Sequence, residues 1–293
     1  MDTLCKLFGK TRQAYYKKRR TCLSKLQLQY ILLDGIAYYR SKAPLLGGVK
    51  LHAELTLLYG REIVGGRDAF LNFMRRQKLM LPARQARHTT NSNHLYRKYP
   101  NLTKGLRAEY PNHLWASDIT YIWLEGGVCY LHLLTDVYSH AILGWVLAPG
   151  LHGRYTAQAL CQAIEKGGGG NLCGTIHHSD RGVQYACDLY VSTLMDYHIR
   201  ISMTEDSKPT DNAVAERMNG ILKTEWIYGM RLFPNRDEAE KEIGAMIDFY
   251  NHERPHMSIG MKKPMDVYRG EAPGPNLWKR DRKNKQQKNE LSL

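Results

Sequence analysis

From Leu114 onward the chain changes texture, and the new pattern restricts the fold more than any single residue does. Three β-rich runs, Leu114–Leu124, Val128–Asp136 and Ala141–Leu147, are broken by Gly126-Gly127 and by Tyr138-Ser-His, as in an antiparallel meander. Tyr155–Lys166 then has helical spacing and runs into four glycines, Gly167–Gly170. Thr175–Ser179 reads as a short strand, Val183–Tyr197 as a helix and Ile199–Met203 as another strand. Pro209 and Asp211 open a long helix that reaches about Tyr228. The order β-β-β-α-β-α-β-α predicts an α/β domain, a mixed five-stranded sheet flanked by helices.

The chain ahead of it is helical and basic. Residues 1–113 hold 22 Lys/Arg against 6 Asp/Glu, a balance of +16, while residues 114–293 hold 20 against 22, a balance of −2. Leu4–Phe8 and Arg12–Arg20 around Gly9-Lys-Thr11 make a helix-turn-helix fragment, with Thr11 placed to cap the second helix. An amphipathic helix over 26–41 puts Leu28, Ile31, Leu32 and Ile36 on one side. Val49–Tyr59 and Asp68–Met80 form a second pair about Gly60–Gly66, and the latter carries Arg75, Arg76 and Lys78 beside Phe70, Phe73 and Met74. Clustered cations of this kind displace counterions from a phosphate backbone, so residues 1–83 are expected to bind DNA. Residues 84–113 read as a basic linker, 114–270 as the α/β core, and 271–293 as a basic, disordered tail.

Composition narrows the classes further. Hydrophobic residues at 43% and charged ones at 24% suit a packed globular chain. No run approaches the ~18 apolar residues of a membrane span. The opening Met-Asp-Thr-Leu-Cys-Lys-Leu lacks a secretory stretch, which predicts a protein that stays in the cytoplasm. The six cysteines (5, 22, 129, 161, 173 and 187) form no CxxC pair and are expected as small buried residues.

Three carboxylates carry the chemistry. Asp118 lies inside the apolar run Leu114–Ile122, where an acid is costly unless paired or bound to metal. Asp180 ends Thr175-Ile-His-His-Ser-Asp180, and Glu216 stands on the predicted long helix. Two acids at strand positions and one on a helix can converge and hold two divalent cations, a pair that clamps the attacking and leaving oxygens of a phosphodiester displacement. Mg²⁺ suits such a site because it takes oxygen ligands and keeps several waters. On the helix, Val214, Met218, Ile221 and Trp226 are expected to pack on the sheet. Glu216, Asn219 and Lys223 follow at i, i+3 and i+7 on another face, a phosphate-handling surface with Arg217 beside it. Gly220 beside that face would permit a close approach or a packing contact.

The motifs Trp115-Ala-Ser-Asp118-Ile-Thr-Tyr, His178-Ser-Asp180-Arg-Gly-Val-Gln-Tyr185, Asp211-Asn-Ala-Val-Ala-Glu216-Arg217 and Lys223 stand together with Tyr250-Asn-His-Glu-Arg254-Pro-His256, Lys262 and Pro264. On these, residues 114–269 resemble the catalytic core shared by retroviral integrases and DDE transposases. The whole chain resembles the second-frame product of the insertion-sequence-three family of bacterial transposases. The resemblance implies an RNase H-like fold with Asp118, Asp180 and Glu216 as catalytic ligands of two Mg²⁺ or Mn²⁺ ions. It implies DNA integration and recombination: water opens the 3′ end of the element, and that 3′-OH then attacks another phosphodiester. Its implied partners are element-end and target DNA, further copies of the chain on DNA, and an upstream-frame helix-turn-helix partner or fusion. The competing functions are an RNase H-type nuclease and an inactive or regulatory DNA-binding relic.

Five other residues have defined readings. His178 is expected to orient Asp180 or touch phosphate, and His177 to pack in the core. Asp136 reads as a turn-capping acid, the alternative being a fourth metal ligand as in RNase H enzymes. Arg254 and His256 either lock the helix that contains Asp248 to the core or bind DNA.

Overall fold

The computed structural model describes residues 11–81, 97–170, 172–205, 213–227 and 232–277. It divides into two compact units, Met1–Pro82 and Ala83–Leu293. The expected helix over Leu4–Phe8, the first part of the linker and the basic tail from residue 278 lie outside the described residues.

The first unit is built from α1 (Arg12–Lys42), α2 (Gly48–Tyr59), the single turn α3 (Arg61–Val64) and α4 (Arg67–Arg76). α1 is one continuous helix of 31 residues rather than two short ones. The reason is local: the segment Arg20-Thr-Cys-Leu-Ser-Lys-Leu26 holds neither glycine nor proline, so nothing interrupts it. Among its described side chains Leu32, Ile36 and Tyr39 are buried, whereas Leu28 and Ile31, expected on the same face, are exposed. Leu51, Leu55, Phe70 and Met74 complete the core, and Gly35 lets α2 come close, since a Cβ there would meet Leu55 at 2.5 Å. Tyr39 donates to buried Glu54 (3.2 Å), and Arg40 donates to the Leu79 carbonyl (2.8 Å).

The second unit is the predicted mixed sheet. Its strands β1 (Leu114–Leu124), β2 (Gly127–Asp136), β3 (Ile142–Ala148), β4 (Ile176–Ser179) and β5 (Arg200–Met203) lie in the order β3-β2-β1-β4-β5. The first three make the antiparallel meander, and β4 and β5 join it in parallel. The helices are α5 (Gly153–Lys166), α6 (Val183–Ala186), α7 (Asp188–Asp196), α8 (Ala213–Glu225), α9 (Arg236–His252) and α10 (Pro264–Tyr268). The single helix expected over Val183–Tyr197 is broken at Cys187, whose backbone is extended (φ −69°, ψ 149°). Cys187 packs under Gly153 so tightly that a Cβ on the glycine would lie 2.4 Å from its Sγ.

Strand alternation assigns the layers. Gly144 meets the backbone of α5, since a Cβ there would lie 1.9 Å from the Ala159 carbonyl. Trp145, the next residue and therefore on the opposite face, lies against Gly244 of α9. Asp118, Leu133 and Trp145 share one row of the register, which puts Asp118 on the α9 face. On the α5 face, Trp115, Leu143, Leu160, Tyr185, Tyr190 and Leu194 belong to one buried cluster.

The outer strands are tied down by neighbours. Asn251 of α9 accepts from the Ile142 N–H and donates to the Ile142 carbonyl, both at 2.9 Å, and Gln162 of α5 accepts from the Trp145 N–H at 3.0 Å. On the far side the Met203 N–H donates to the Pro100 carbonyl (3.4 Å), and the Leu102 N–H donates to Ser202 Oγ (2.9 Å). Residues 97–113, expected as linker, are thus part of this unit because β5 offers them unpaired backbone groups. Residues 271–277 likewise belong to the body: the Gly274 and Leu277 N–H groups donate to the Ile259 and Met257 carbonyls (2.9 and 3.0 Å).

Three histidines of this unit predict its response to acid. Burial holds His132 and His140 down to about 4 and His177 down to about 3, with the Arg217 and Arg254 charges adding to the effect at His140. An unfolded histidine titrates near 6.5. Below that value the unfolded chain takes up protons that the folded chain refuses until about pH 4, so folding stability falls as pH drops through this window. Asp136, whose carboxyl burial pushes up, works in the opposite sense but is one group against three. The melting temperature should therefore be clearly lower at pH 5 than at pH 7.5. An equal or higher value at pH 5 would contradict the burial of these rings.

Candidate active site

The register of β1 and β4 builds the site. Ala116 pairs with His178 in the parallel ladder, and two residues further along each strand stand Asp118 and Asp180. Asp180 directly follows the last residue of β4, so the ladder brings it level with Asp118 on two neighbouring strands, whose backbones in a sheet lie about 4.8 Å apart. Both are half-buried. Asp180 Oδ1 accepts from the Gly182 N–H at 2.9 Å, and a Cβ on Gly182 would lie 3.0 Å from that oxygen, so glycine fits the turn best. Asp118 Oδ1 accepts from the Ile119 N–H (2.9 Å), and Oδ2 accepts from Asn219 Nδ2 (2.5 Å). A pair of adjacent, partly desolvated carboxylates is an all-oxygen donor set, which fits a hard divalent cation. Among the described residues no third acid, histidine or cysteine joins them. The third expected ligand, Glu216, belongs to α8 one turn before Asn219, and its side chain lies outside the described residues.

α8 lies across β1 and β2 on the side facing Asp118. Among the described side chains of α8, Asn219, Leu222 and Glu225 are buried, as is Trp226 just after it, with Lys223 half-buried between them. The packing face is thus shifted from the expected one: Leu222 rather than Ile221 fills the core, and the expected contributions of Val214 and Met218 lie outside the described side chains. Asn219, expected at DNA, is 5% exposed and spends its amide on Asp118. Lys223 is close enough to Asp118 to feel its charge; burial lowers its pKa and the carboxylate opposes that. Gly220 faces open space, with nothing within 4 Å of a Cβ, so neither a close strand nor a packing contact explains it. Arg217 is exposed on the same helix, and in the first unit Arg75, Arg76 and Lys78 are all exposed at the end of α4.

The two histidines of β4 are structural. His177 is 1% exposed, and its Nε2 lies 2.8 Å from both Ser117 Oγ and Tyr190 Oη. His178 is 2% exposed and bonds Ser202 Oγ through Nδ1 (2.8 Å), so it braces β4 to β5 instead of reaching a phosphate. Asp136 is fully buried and caps the turn after β2. Its carboxylate accepts from the Ser139 N–H (2.8 Å), Ser139 Oγ (2.6 Å) and the Asn112 N–H (2.9 Å).

The Tyr250–His256 motif resolves in favour of anchoring. Arg254, 1% exposed, donates through Nε and Nη2 to the two Glu225 oxygens at 2.6 and 2.9 Å, and its guanidinium lies over Tyr250. Trp226 packs edge-on against Phe249 (6.1 Å between centroids), and His256 stacks on His140 at 4.4 Å. α8 is thereby fastened at its C-terminal end to α9. Sequence reasoning missed Glu225, although the signal was present: an acid between Leu222 and Trp226 is as costly as Asp118 within its strand.

The integrase core domain family matches residues 108–209, and a second integrase core domain family matches residues 197–264. The chain is 32% identical over 273 residues to the insertion element IS600 uncharacterized 31 kDa protein of Shigella sonnei, covering 89% of this chain and 96% of that one. It is 35% identical over 169 residues to the transposase for insertion sequence element IS904 of Lactococcus lactis, covering 57% of this chain and 66% of the relative. Among solved structures, the HTLV-2 integrase catalytic core domain in complex with magnesium aligns at 22% identity and a TM-score of 0.43, covering 55% of this chain and 99% of that one. Among the described residues, no helix is long and apolar enough to cross a membrane.

Proposed function

Since the chain belongs to the insertion-sequence transposases built around an integrase core domain, we propose that it cleaves the 3′ ends of its own element and joins them to a target strand with the Asp118–Asp180–Glu216 site. The observation that carries this reading is the register that brings Asp118 and Asp180 level on neighbouring strands, with α8 held against Asp118 by Asn219. Asp118, Asp180 and Glu216 would hold two Mg²⁺ or Mn²⁺ ions, which when bound supply Lewis-acid activation and neutralise charge at the scissile phosphate. The rest is done by the chain's own side chains. Asn219 fixes the rotation of the Asp118 carboxylate, and Lys223 offsets negative charge beside it. The exposed Arg217, with Arg75, Arg76 and Lys78 on the first unit, would hold the DNA backbone, and further copies of the chain would bring two ends together.

Asp136 favours this reading over a hybrid nuclease with a fourth acidic ligand, because both of its oxygens are already spent on Asn112 and Ser139. A regulatory relic has no use for an oriented acid pair. The test is incubation of the purified protein with duplexes cut from the DNA flanking its gene, with Mg²⁺ and with EDTA. Metal-dependent nicking at the 3′ end followed by joining is expected; binding without any turnover would favour the relic.

The exposed cations of α4 give a separate expectation. Replacing Arg75, Arg76 and Lys78 together with alanine should weaken binding to all duplexes alike and flatten the log–log salt dependence by about 0.9 for each phosphate no longer neutralised. An unchanged slope in a salt titration would remove these residues from the DNA interface.

A further inference from the structure

Behind the carboxylate pair lies a buried ring cluster whose hydroxyl groups are unequally used. Tyr190 donates its hydroxyl to, or accepts from, His177 Nε2 at 2.8 Å. Tyr185 packs edge-on against Tyr190 (5.6 Å, 72°) and beside His177 (6.3 Å), and it is 2% exposed. Its hydroxyl oxygen is buried and has no hydrogen-bond partner among the described residues. A buried phenol without a partner costs about 1–3 kcal/mol, so its retention in a packed cluster asks for a compensating use. The position supplies one. Tyr185 stands on the short helix α6, five residues after Asp180 across the turn that the Gly182 N–H closes on the Asp180 carboxylate. The charges of Asp180 and then Asp118, after burial itself, raise the pKa of its phenol well above the ordinary value, so it remains a donor at any working pH.

Resting on the metal-dependent reading of the site, we propose that the Tyr185 hydroxyl is a positioning donor for the loaded carboxylate pair, holding Asp180 directly or through one water. Ligating carboxylates are commonly held by such outer donors, and loss of one costs about 10–100-fold in metal affinity. In the absence of metal the group is a liability; with metal it gains its partner. The two states thus make opposite demands on one atom.

Tyr185→Phe separates them, since it removes the oxygen and keeps the ring in the cluster. The full chain would be melted with increasing Mn²⁺ or Mg²⁺, comparing wild type, Tyr185→Phe and Asp180→Ala. Without metal, Tyr185→Phe should melt at or above the wild-type temperature, because an unpartnered polar group has been deleted. Its half-saturating Mn²⁺ concentration should rise about tenfold or more, while Asp180→Ala should show no metal response. An identical half-saturation in wild type and Tyr185→Phe overturns the inference and leaves the site intact. A wild type that does not respond to metal overturns both this inference and the reading of the site on which it rests.

Discussion

Asp118→Asn and Asp180→Asn should each reduce end cleavage and joining on the order of 10³-fold or more, the scale on which one preorganised charged group at a reacting phosphate counts. Asparagine keeps the shape of aspartate and can still accept the Ile119 or Gly182 N–H through its Oδ1, so the local backbone need not move. The variant loses the negative charge and half the acceptor capacity, which is what a divalent ion requires of the position. At Asp118 there is a second loss: Asn219 Nδ2 would then face another amide, and one of the two must turn. DNA affinity should hold in both variants, because the cations that neutralise phosphate lie elsewhere. Electrophoretic binding alongside single-turnover joining separates the two quantities. Joining within tenfold of wild type in either variant would show that the acid pair is not the catalytic centre.

Arg254→Ala should destabilise the catalytic unit by about 3–5 kcal/mol, the cost of leaving one partner of a buried ion pair uncompensated. For a unit of this size about 2–4 °C of melting temperature accompanies each kcal/mol, so a fall of roughly 10 °C is expected. The geometry of the clasp sets this cost: both Glu225 oxygens accept from one guanidinium, and the two side chains are only 2% and 10% exposed. The companion variant is Arg254→Met with Glu225→Leu. Replacing both charges by apolar groups of similar length removes the penalty along with the attraction, and such exchanges are often neutral or stabilising. Thermal melts that rank the double variant well above the single one support the clasp. A single variant that melts with the wild type would refute it.

Much of this architecture was legible in the residues because the signals were local. The meander follows from alternation between glycine breaks, and Asp118 stands out as an acid in an apolar strand. What could not be read was set by partners far away in sequence. Asn219 looked like a surface amide until the fold put it against Asp118, 101 residues earlier. His178 read as orienting Asp180 or touching phosphate, and nothing near it in sequence announces its bond to Ser202 of β5. The helical period of α8 did not show which face meets the sheet: Leu222 is buried where Ile221 was expected, and Asn219 is buried with it. Arg254 carried two equal readings because an arginine after a helix is ambiguous; burial against Glu225 decided it. In the first unit, the absence of glycine or proline over Arg20–Leu26 was the available clue to one long helix, and a pattern of paired helices overlooks it.

The side-chain bonds of Asn251 and Gln162 on β3, and the strand-like run of Pro100–Leu102 along β5, have a consequence for how copies of the chain can meet. A sheet that leaves its outermost N–H and C=O groups free is a template on which another molecule can add a strand, the route to runaway aggregation. Here the Ile142 and Trp145 N–H groups and the Ile142 carbonyl at one margin, and the Met203 N–H at the other, are already taken. Those positions have no free group to offer an incoming strand, so crowding of copies on one stretch of DNA is not met there by a bare template on which the sheets could fuse.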